Sequence, residues 1–443
     1  MSLFARVTAA LLILAPAAAQ AGPLLDKALA YSDRWVERNS PAFACRVETL
    51  YTDETLTEVE SYHDLGDSTI WTGNYVAAES YRYAVTGDPQ AKINALRSLE
   101  CLLAMEEVTG KPGFIARWVG PAEPPYLLGE CNPAQDCHVV TEGPYAGNFW
   151  KGNTSSDQYL GWWYGVSHVW DFVLDGPEDN YYRNAIRGAV TRVVDTLRAD
   201  DYLITDPDGT VSTAGPEIVG NEAMAFHLVT ANIAGGEYAE MLPQVYADNF
   251  LDYYFLWIYP ITRYFQYYAF HLGHMASHMV MTHETSWPLL AFHRNHHRLR
   301  AYAPVAGSGQ VMFDYIAMGE KAIAESPALL ASARAHLAAI PGPPRLKISN
   351  PQGPWTPDPQ VDVLNYWGPI IAELLGKPGE WKPQPQQGLA PFPFEERCNE
   401  GFRWQRNPYR LCGPDNPRFE YPGEDYLIAY WMGRYYGFLT EED

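Results

Sequence analysis

Two kinds of helical segment alternate along the chain. The first kind is amphipathic: in residues 91–108, Ile93, Leu96 and Leu99 share one stripe, while Lys92 lies on the opposite side. Apolar residues three and four positions apart predict a helix that covers a core with one face and meets solvent with the other. The same pattern recurs at 181–200 and 328–340.

The second kind of segment is apolar or aromatic on nearly every side, and five of its six examples contain glycine. A helix of this composition is expected to be buried all round. Two of these segments align as an internal repeat, in which Trp71 corresponds to Tyr159 and Gly73 to Gly161. The six segments of this kind are 68–85, 156–173, 219–233, 284–295, 362–376 and 424–438.

This alternation predicts an all-α fold in which six inner helices are surrounded by amphipathic ones. Antiparallel helical hairpins arranged in this way form an (α/α)6 toroid around a central cavity. Aromatic helices lie on both sides of the long links, which are rich in proline, glycine and asparagine. The pattern therefore favours a single domain over residues 22–443.

The first two inner segments begin with the same motif, S-x-x-[WY]-x-G, at 68–73 and 156–161. With the six predicted hairpins, this resembles the (α/α)6-toroid superfamily of carbohydrate-active proteins. That superfamily includes six-hairpin glycosidases, unsaturated uronyl hydrolases and the toroid domains of alginate and heparin lyases. The resemblance is one of architecture, and it implies a sugar substrate without assigning a reaction.

The first 21 residues have the features of a secretory signal peptide. Arg6 precedes an apolar run that ends in a small-x-small cleavage pattern at residues 19–21, and the run is too short for a membrane anchor. We therefore expect a periplasmic or secreted protein. Its formal net charge of −22 repels phosphate backbones and anionic lipids, which argues against nucleic acid and membrane partners.

Six cysteines in an exported chain predict disulfides rather than thiols. Proximity in the sequence suggests three pairs, although six cysteines allow fifteen pairings. None of them shows the paired C-x-x-C spacing of a zinc site. The predicted pairs are Cys45–Cys101, Cys131–Cys137 and Cys398–Cys412.

Polar residues recur at the predicted starts of the inner helices, followed closely by aromatic ones. In a toroid these starts share one end of the cavity, where carboxyl groups and aromatic rings together suit a glycan. Hydrolysis of a glycosidic bond needs two carboxyl groups across the bond. We predict Asp157 as the first of them, with Glu222 or Glu284 as its partner, and His283 beside Glu284 in contact with substrate.

Further residues at the same helix starts are predicted to bind the sugar through ring faces, amides and carboxylates. They are Trp71, Asn74, Tyr159, Trp163, Asn221, Trp287, Asp425 and Tyr426.

Two other functions stay open from the sequence. A lyase or epimerase acting on uronates needs a group that neutralises the sugar carboxylate and a Tyr or His that takes the C5 proton. A glycan-binding protein without chemistry is the third alternative, because fold does not fix function. Residues suited to the eliminative reaction are Asn221, His227, His283, Arg263 and Tyr159.

Seven of the twelve histidines lie between residues 271 and 297. His271, His274 and His278 share one helical face, and Glu284 would add an oxygen ligand to a metal there. The spacing matches no common zinc template, so hydrogen-bonded core histidines are the favoured interpretation. No cofactor is predicted.

Overall fold

The computed structural model describes residues 21–126, 131, 136–255, 263, 266–347, 359–374, 376, 390–397, 399–410 and 415–443. The predicted signal peptide lies outside these residues, except for Ala21. The helices are α1 Pro23–Arg34, α2 Ser68–Thr86, α3 Pro89–Glu107, α4 Ser156–Phe172, α5 Asn180–Ala199, α6 Gly220–Ala234, α7 Glu237–Glu240, α8 Leu242–Phe255, α9 Tyr268–His283, α10 Trp287–His297, α11 Val311–Gly319, α12 Pro327–Ala339, α13 Pro359–Leu374 and α14 Glu424–Tyr435.

Six of these helices are buried on nearly every side, and we call them the central helices: α2, α4, α6, α9, α11 and α14. The central helices that contact one another are α14 with α2, α2 with α4, α4 with α6, α6 with α9, α9 with α11, and α11 with α14, and α4 is also in direct contact with α9. Each is also in contact with a helix of the outer layer; α1, for example, packs on α14. Among the described helices, none combines the length and apolar character needed to cross a bilayer.

Two of the six predicted inner segments are wrong. Residues 287–295 of the first segment belong to α10, where the side chain of Trp287 is 75% exposed, and residues 362–374 of the second belong to α13, where Leu374 is 81% exposed. Their places are taken by α9 and α11. The sequence did not predict α9 because histidines interrupt its apolar pattern, although His271, His274 and His278 are buried there. It did not predict α11 because that helix is only nine residues long.

The prediction of an all-α fold is correct only in that helices predominate. Two small antiparallel sheets are present, with strand orders β2-β1-β7-β6 and β3-β5-β4. Their strands are too short for an alternating pattern to reveal them, and β1 and β7 come from opposite ends of the chain. The strands are β1 Glu48–Tyr51, β2 Val59–His63, β3 Trp118–Pro121, β4 Cys137–Val139, β5 Asn148–Lys151, β6 Arg345–Lys347 and β7 Asn416–Tyr421.

Two disulfides are present in the described part of the chain. Cys45–Cys101 joins the segment before β1 to α3, and Cys131–Cys137 closes a loop that leads into β4. These bonds are consistent with an oxidising, extracellular environment. The third predicted pair, Cys398–Cys412, lies outside the described residues.

The aligned glycines of the internal repeat allow α2 and α4 to pack closely. A Cβ atom placed on Gly73 would lie 1.8 Å from the carbonyl oxygen of Gly161, and one placed on Gly161 would lie 2.2 Å from the Cα atom of Ile70. No side chain fits at either position, because the obstacle is backbone. Close packing of helices, rather than approach of a ligand, explains these two glycines.

We expect Gly161→Ala to destabilise the protein by about 3 kcal/mol or more, because the new methyl group must push α2 and α4 apart. Chemical denaturation monitored by circular dichroism measures the change. Gly188→Ala in α5 is the matched control: its added Cβ would meet only the tip of the Arg192 side chain, at 3.2 Å. There the substitution should be neutral or stabilising by about 1 kcal/mol. Equal losses at both positions would contradict the explanation.

Candidate active site

The N-terminal ends of three central helices lie together. The side chain of Gln158 on α4 accepts a hydrogen bond from the Ile70 backbone N–H on α2 (3.1 Å) and donates one to Asp67 (3.1 Å), which precedes α2. On α6, Glu222 is close enough to Asp157 for the two carboxyl groups to interact electrostatically. We call Asp64, Asp67, Asp157 and Glu222 the acidic cluster.

Local sequence explains how α4 and α6 position their carboxyl groups. Asp157 lies in the first turn of α4, where it accepts hydrogen bonds from the Ser155 hydroxyl and from the Gln158 backbone N–H (3.1 Å). Glu222 is the third residue of α6 and accepts a hydrogen bond from the Val219 backbone N–H (3.2 Å). Both arrangements are typical of helix starts, where side-chain oxygens accept hydrogen bonds from backbone N–H groups that have no partner within the helix.

Burial shifts the protonation of two members of the acidic cluster. The Glu222 side chain is only 2% exposed. Its burial raises its pKa to about 8, in spite of the Val219 hydrogen bond, and the neighbouring Asp157 adds to the rise. Burial, followed by the charges of Asp64 and Asp157, raises the pKa of Asp67 to about 7. Glu222 is therefore largely protonated at neutral pH.

Two arginines border the acidic cluster, and the sequence analysis assigned neither of them a role. Arg46 donates to Glu48 (2.8 Å), Glu424 (3.1 Å) and Asp64. Arg117 donates to the carbonyl oxygens of Asn153 and Gly66 and to the Ser155 hydroxyl, while Asp67 lies 3.6 Å from its guanidinium. Both come from loops that only the tertiary fold brings to this end of the helices.

The predicted aromatic residue on α2 is covered. Trp71 is buried and stacks on Phe402, with ring centroids 4.3 Å apart and ring planes 11° apart. Phe402 belongs to the segment 399–410, and its ring also lies 4.9 Å from that of His271. A sugar could stack on this face of Trp71 only after Phe402 had moved.

The other predicted binding residues on α2, α4 and α6 are also buried. The Tyr159 hydroxyl accepts from the Ile115 backbone N–H (3.2 Å), and Trp163 stacks on Phe226 with centroids 5.2 Å apart. Asn74 donates to the Ile70 carbonyl oxygen (2.9 Å). Asn221 is buried beside Glu222, and its side-chain oxygen has no hydrogen-bond partner among the described residues.

At the start of α14 the predicted residues are held by neighbouring segments. Asp425 accepts hydrogen bonds from Arg345 (2.6 Å) and from the Arg403 backbone N–H (2.8 Å). Tyr426 donates to the Leu24 carbonyl oxygen (2.8 Å) and so joins α14 to α1. These contacts account for both side chains without a ligand.

Glu284 and Trp287 lie away from the acidic cluster. Glu284 follows the end of α9 rather than beginning an inner helix, and it accepts hydrogen bonds from the Tyr246 hydroxyl and the Ser286 backbone N–H (2.6 Å). It lines an apolar groove of about 560 Å³ between α8 and α10. Of the two predicted partners for Asp157, the structure therefore brings only Glu222 close to it.

His283 lies at the C-terminal end of α9, not at a helix start. Its Nε2 atom is 3.0 Å from a carboxylate oxygen of Asp171, and its Nδ1 atom is 2.8 Å from the Met279 carbonyl oxygen. His283 and Asp171 border a cavity of about 70 Å³. Its lining also includes Tyr81, His168, His278, Glu320 and Tyr436. Burial lowers the pKa of His283, but the hydrogen bond and charge of Asp171 outweigh it, so the pKa is raised.

We expect the contribution of the Asp171–His283 pair to stability to depend on pH. A raised histidine pKa stabilises the fold fully below the unfolded value of about 6.5, and this contribution is lost as the pH rises through the folded value. Asp171→Asn should therefore cost about 1–3 kcal/mol at pH 6 and much less at pH 9. Urea unfolding at both pH values measures the difference, with Asp195→Asn on α5 as the control. A loss that is the same at both pH values would contradict the ion pair.

The three histidines considered as metal ligands have separate environments. His274 stacks on Phe313 with centroids 4.0 Å apart, whereas His278 has its Nδ1 atom 2.8 Å from the Tyr164 hydroxyl and its Nε2 atom 3.0 Å from that of Tyr436. The ring of His271 lies beside the stacked pair of Trp71 and Phe402, with centroids 5.7 Å and 4.9 Å away. Within the described ranges, the residues that bring three potential ligand atoms within 4.8 Å of one another are Asp175, Glu178 and Asp179.

No protein-family model, curated protein or solved structure matches the chain. The resemblance to the toroid superfamily therefore stays a prediction, and the function has to be argued from the site alone.

Proposed function

We propose that the protein is an exported enzyme that hydrolyses glycosidic bonds in an oligo- or polysaccharide. In this proposal Glu222 is the general acid and Asp157 is the second carboxyl group. The observation that carries it is the difference between the two environments. Glu222 is buried, with a pKa of about 8, whereas Asp157 is half-buried and accepts hydrogen bonds from two donors at a helix N-terminus.

Glycoside hydrolysis requires two carboxyl groups, one of which is protonated so that it can act as the acid. Glu222 would donate its proton to the oxygen of the bond that breaks. The Asp157 carboxylate would either activate a water molecule or attack the sugar carbon. Substrate would approach from the side of Asp67, whose side chain is 36% exposed.

The contacts among the central helices support a toroid as the architecture behind this site. Followed from α14 through α2, α4, α6, α9 and α11, they return to α14, and a further contact joins α4 directly to α9. Six hairpins around one axis require such a closed cycle. The hydrogen bonds from the backbone N–H groups of Gly22 and Leu24 to the carbonyl oxygens of Glu441 and Asp443 bring the two ends together. They favour one domain from residue 22 to residue 443.

The geometry favours hydrolysis over elimination or epimerisation. Among the residues suited to the eliminative reaction, Tyr159 is buried and its hydroxyl accepts a hydrogen bond from the backbone N–H of Ile115. His283 lies at the C-terminal end of α9 and not at a helix start. His227 is buried, with its Nε2 atom 3.0 Å from the Tyr202 hydroxyl. They do not converge on one position where a uronate would bind.

The experiment that tests the proposal is incubation of the purified protein with neutral, acidic and amino polysaccharides. New reducing ends are measured together with ultraviolet absorbance, and a variant lacking the Asp157 carboxylate serves as the blank. Hydrolysis gives reducing ends without an absorbing product. An unsaturated, absorbing product would instead indicate a lyase, and binding without any cleavage would indicate a glycan-binding protein.

A further inference from the structure

The segment 399–410, which we call the covering segment, lies over the N-terminal ends of four central helices. At α14 its Arg403 backbone N–H donates to the Asp425 carboxylate (2.8 Å). Directly before α11, the side chain of Gln310 donates to the Arg403 carbonyl oxygen (3.5 Å). The ring of Phe402 lies against side chains in the first turns of α2 and α9. The acidic cluster also adjoins the start of α2, so both features occupy the same end of that helix.

Phe402 covers an aromatic face that a sugar ring would use. Its ring plane is 11° from that of Trp71, and the two centroids are 4.3 Å apart. Both side chains are buried, and stacking of this kind removes one apolar face of each ring from water. The free protein therefore places a flat ring of its own on the Trp71 platform.

Three buried side chains that contact the covering segment contain polar atoms without a hydrogen-bond partner in the described part of the chain. These atoms are both ring nitrogens of His271, the Nε of Arg345 and the Oε1 of Gln310. The His271 ring is 4.9 Å from that of Phe402, and Arg345 donates to the Gly401 carbonyl oxygen (2.8 Å). Each of the three side chains is at most 2% exposed. Unpaired buried polar atoms are costly, so the closed position of the segment is held at a disadvantage.

The unpaired atoms include both donors and acceptors. The Nε of Arg345 can only donate, and the Oε1 of Gln310 can only accept. Burial lowers the pKa of His271 to about 3, so its neutral ring has one donor and one acceptor. A hydroxyl group both donates and accepts, whereas an ammonium group only donates and a carboxylate only accepts. Together with the face of Trp71, these atoms match a ring that carries hydroxyl groups.

We infer that the space now filled by Phe402 is a subsite for a neutral sugar residue, bordered by Trp71 and His271, and that the covering segment moves away when the sugar enters. This inference rests on the proposed function. Because Phe402 takes the place of the sugar in the free protein, the apparent affinity for a glycan is lowered by the small fraction of molecules that are open. A glycan displaces the segment only by binding the open form more tightly than the closed one.

Hydrogen exchange of the wild-type protein tests the movement. Maltohexaose, cellohexaose, xylohexaose and hexagalacturonate are titrated by calorimetry, and exchange is then measured with each at saturation. We expect at least one of the neutral hexamers to bind and the backbone amides of residues 403–406 to exchange about tenfold faster in its presence, because their hydrogen bonds open. Unchanged or slower exchange with a bound neutral hexamer would overturn the inference. So would binding of hexagalacturonate alone, or of no hexamer at all.

The Phe402→Ala variant removes the ring that occupies the subsite. It should bind the same neutral hexamer about tenfold more tightly than the wild type, since less free energy is spent on opening. Phe438→Ala is the matched control: Phe438 is also buried, but it follows α14 and packs on Tyr315 with ring centroids 5.3 Å apart. That variant should keep the wild-type affinity. Unchanged or weaker binding by Phe402→Ala would contradict the inference, and the exchange of the wild type decides if this variant does not fold.

The His271→Phe variant keeps a ring of similar size but removes the two unpaired nitrogens. It should raise the melting temperature of the free protein, because no buried polar atom is left unpaired at this position. It should also weaken binding of the neutral hexamer about tenfold, since the sugar hydroxyls lose a partner. A histidine that only fills the core would give the first effect without the second, and that result would count against the subsite.

The outcome is separable from that of the proposed function. Cleavage of a hexamer without faster exchange in the covering segment would overturn this inference and leave the hydrolase intact. Binding of a neutral hexamer with faster exchange but without cleavage would support the subsite and count against hydrolysis.

Discussion

The Asp157→Asn variant is expected to lose activity by about a hundredfold to ten-thousandfold in kcat/KM on the glycan that the wild type hydrolyses. The amide is nearly the same size and still accepts hydrogen bonds from Ser155 and the Gln158 N–H, so α4 should keep its start. It cannot act as a base or nucleophile. The loss should therefore appear in turnover and not in folding.

The control for this variant is Asp195→Asn, which removes one negative charge from the outer helix α5. Initial rates and melting temperatures of both variants are compared with those of the wild type. The account is contradicted if Asp157→Asn keeps near-normal turnover. It is equally contradicted if its activity falls only in proportion to a loss of folded protein.

The Glu222→Gln variant is expected to change how stability depends on pH. Glu222 has a folded pKa of about 8, against an ordinary value near 4.3. Its neutral form is compatible with burial, so its contribution to stability is complete below the ordinary value and is lost as the pH rises through about 8. Ionisation of Glu222 should cost the wild type about 5 kcal/mol between pH 4 and pH 9.

Glutamine cannot ionise, so Glu222→Gln should gain stability relative to the wild type over this range. Guanidinium unfolding at pH 5 and pH 9 measures the gain. Glu217→Gln is the control, because Glu217 is exposed just before α6 and its substitution should give the same difference at both pH values. A stability difference between Glu222→Gln and the wild type that does not change with pH would contradict the raised pKa.

The burial of four central helices could be predicted from the sequence, because aromatic residues and glycines leave no polar face. The same criterion failed for α9. Its histidines count as polar in a sequence, yet burial lowers the pKa of His271 and of His274 to about 3, so they remain neutral in the core. The apolar residue Trp287 led to the wrong prediction that segment 284–295 is buried, since a large apolar residue can be exposed on a surface helix.

The candidate site was predictable where it depends on helix starts. Asp157 and Glu222 stand at the beginnings of helices whose direction follows from the hairpin pattern, and the structure brings these two together. The roles of Arg46, Arg117 and Phe402 could not be predicted, because each comes from a loop whose position depends on the complete fold. Stacking of Phe402 on Trp71, in particular, has no signal in either local sequence.

The pH dependence of kcat/KM tests the central claim most directly, namely that a protonated Glu222 beside an Asp157 carboxylate performs hydrolysis. On the glycan identified by the substrate panel, we predict that the rate falls on the alkaline side with an apparent pKa near 8, the value for Glu222. A rate that stays constant from pH 6 to well above pH 9 would show that no such acid takes part, and it would contradict the account.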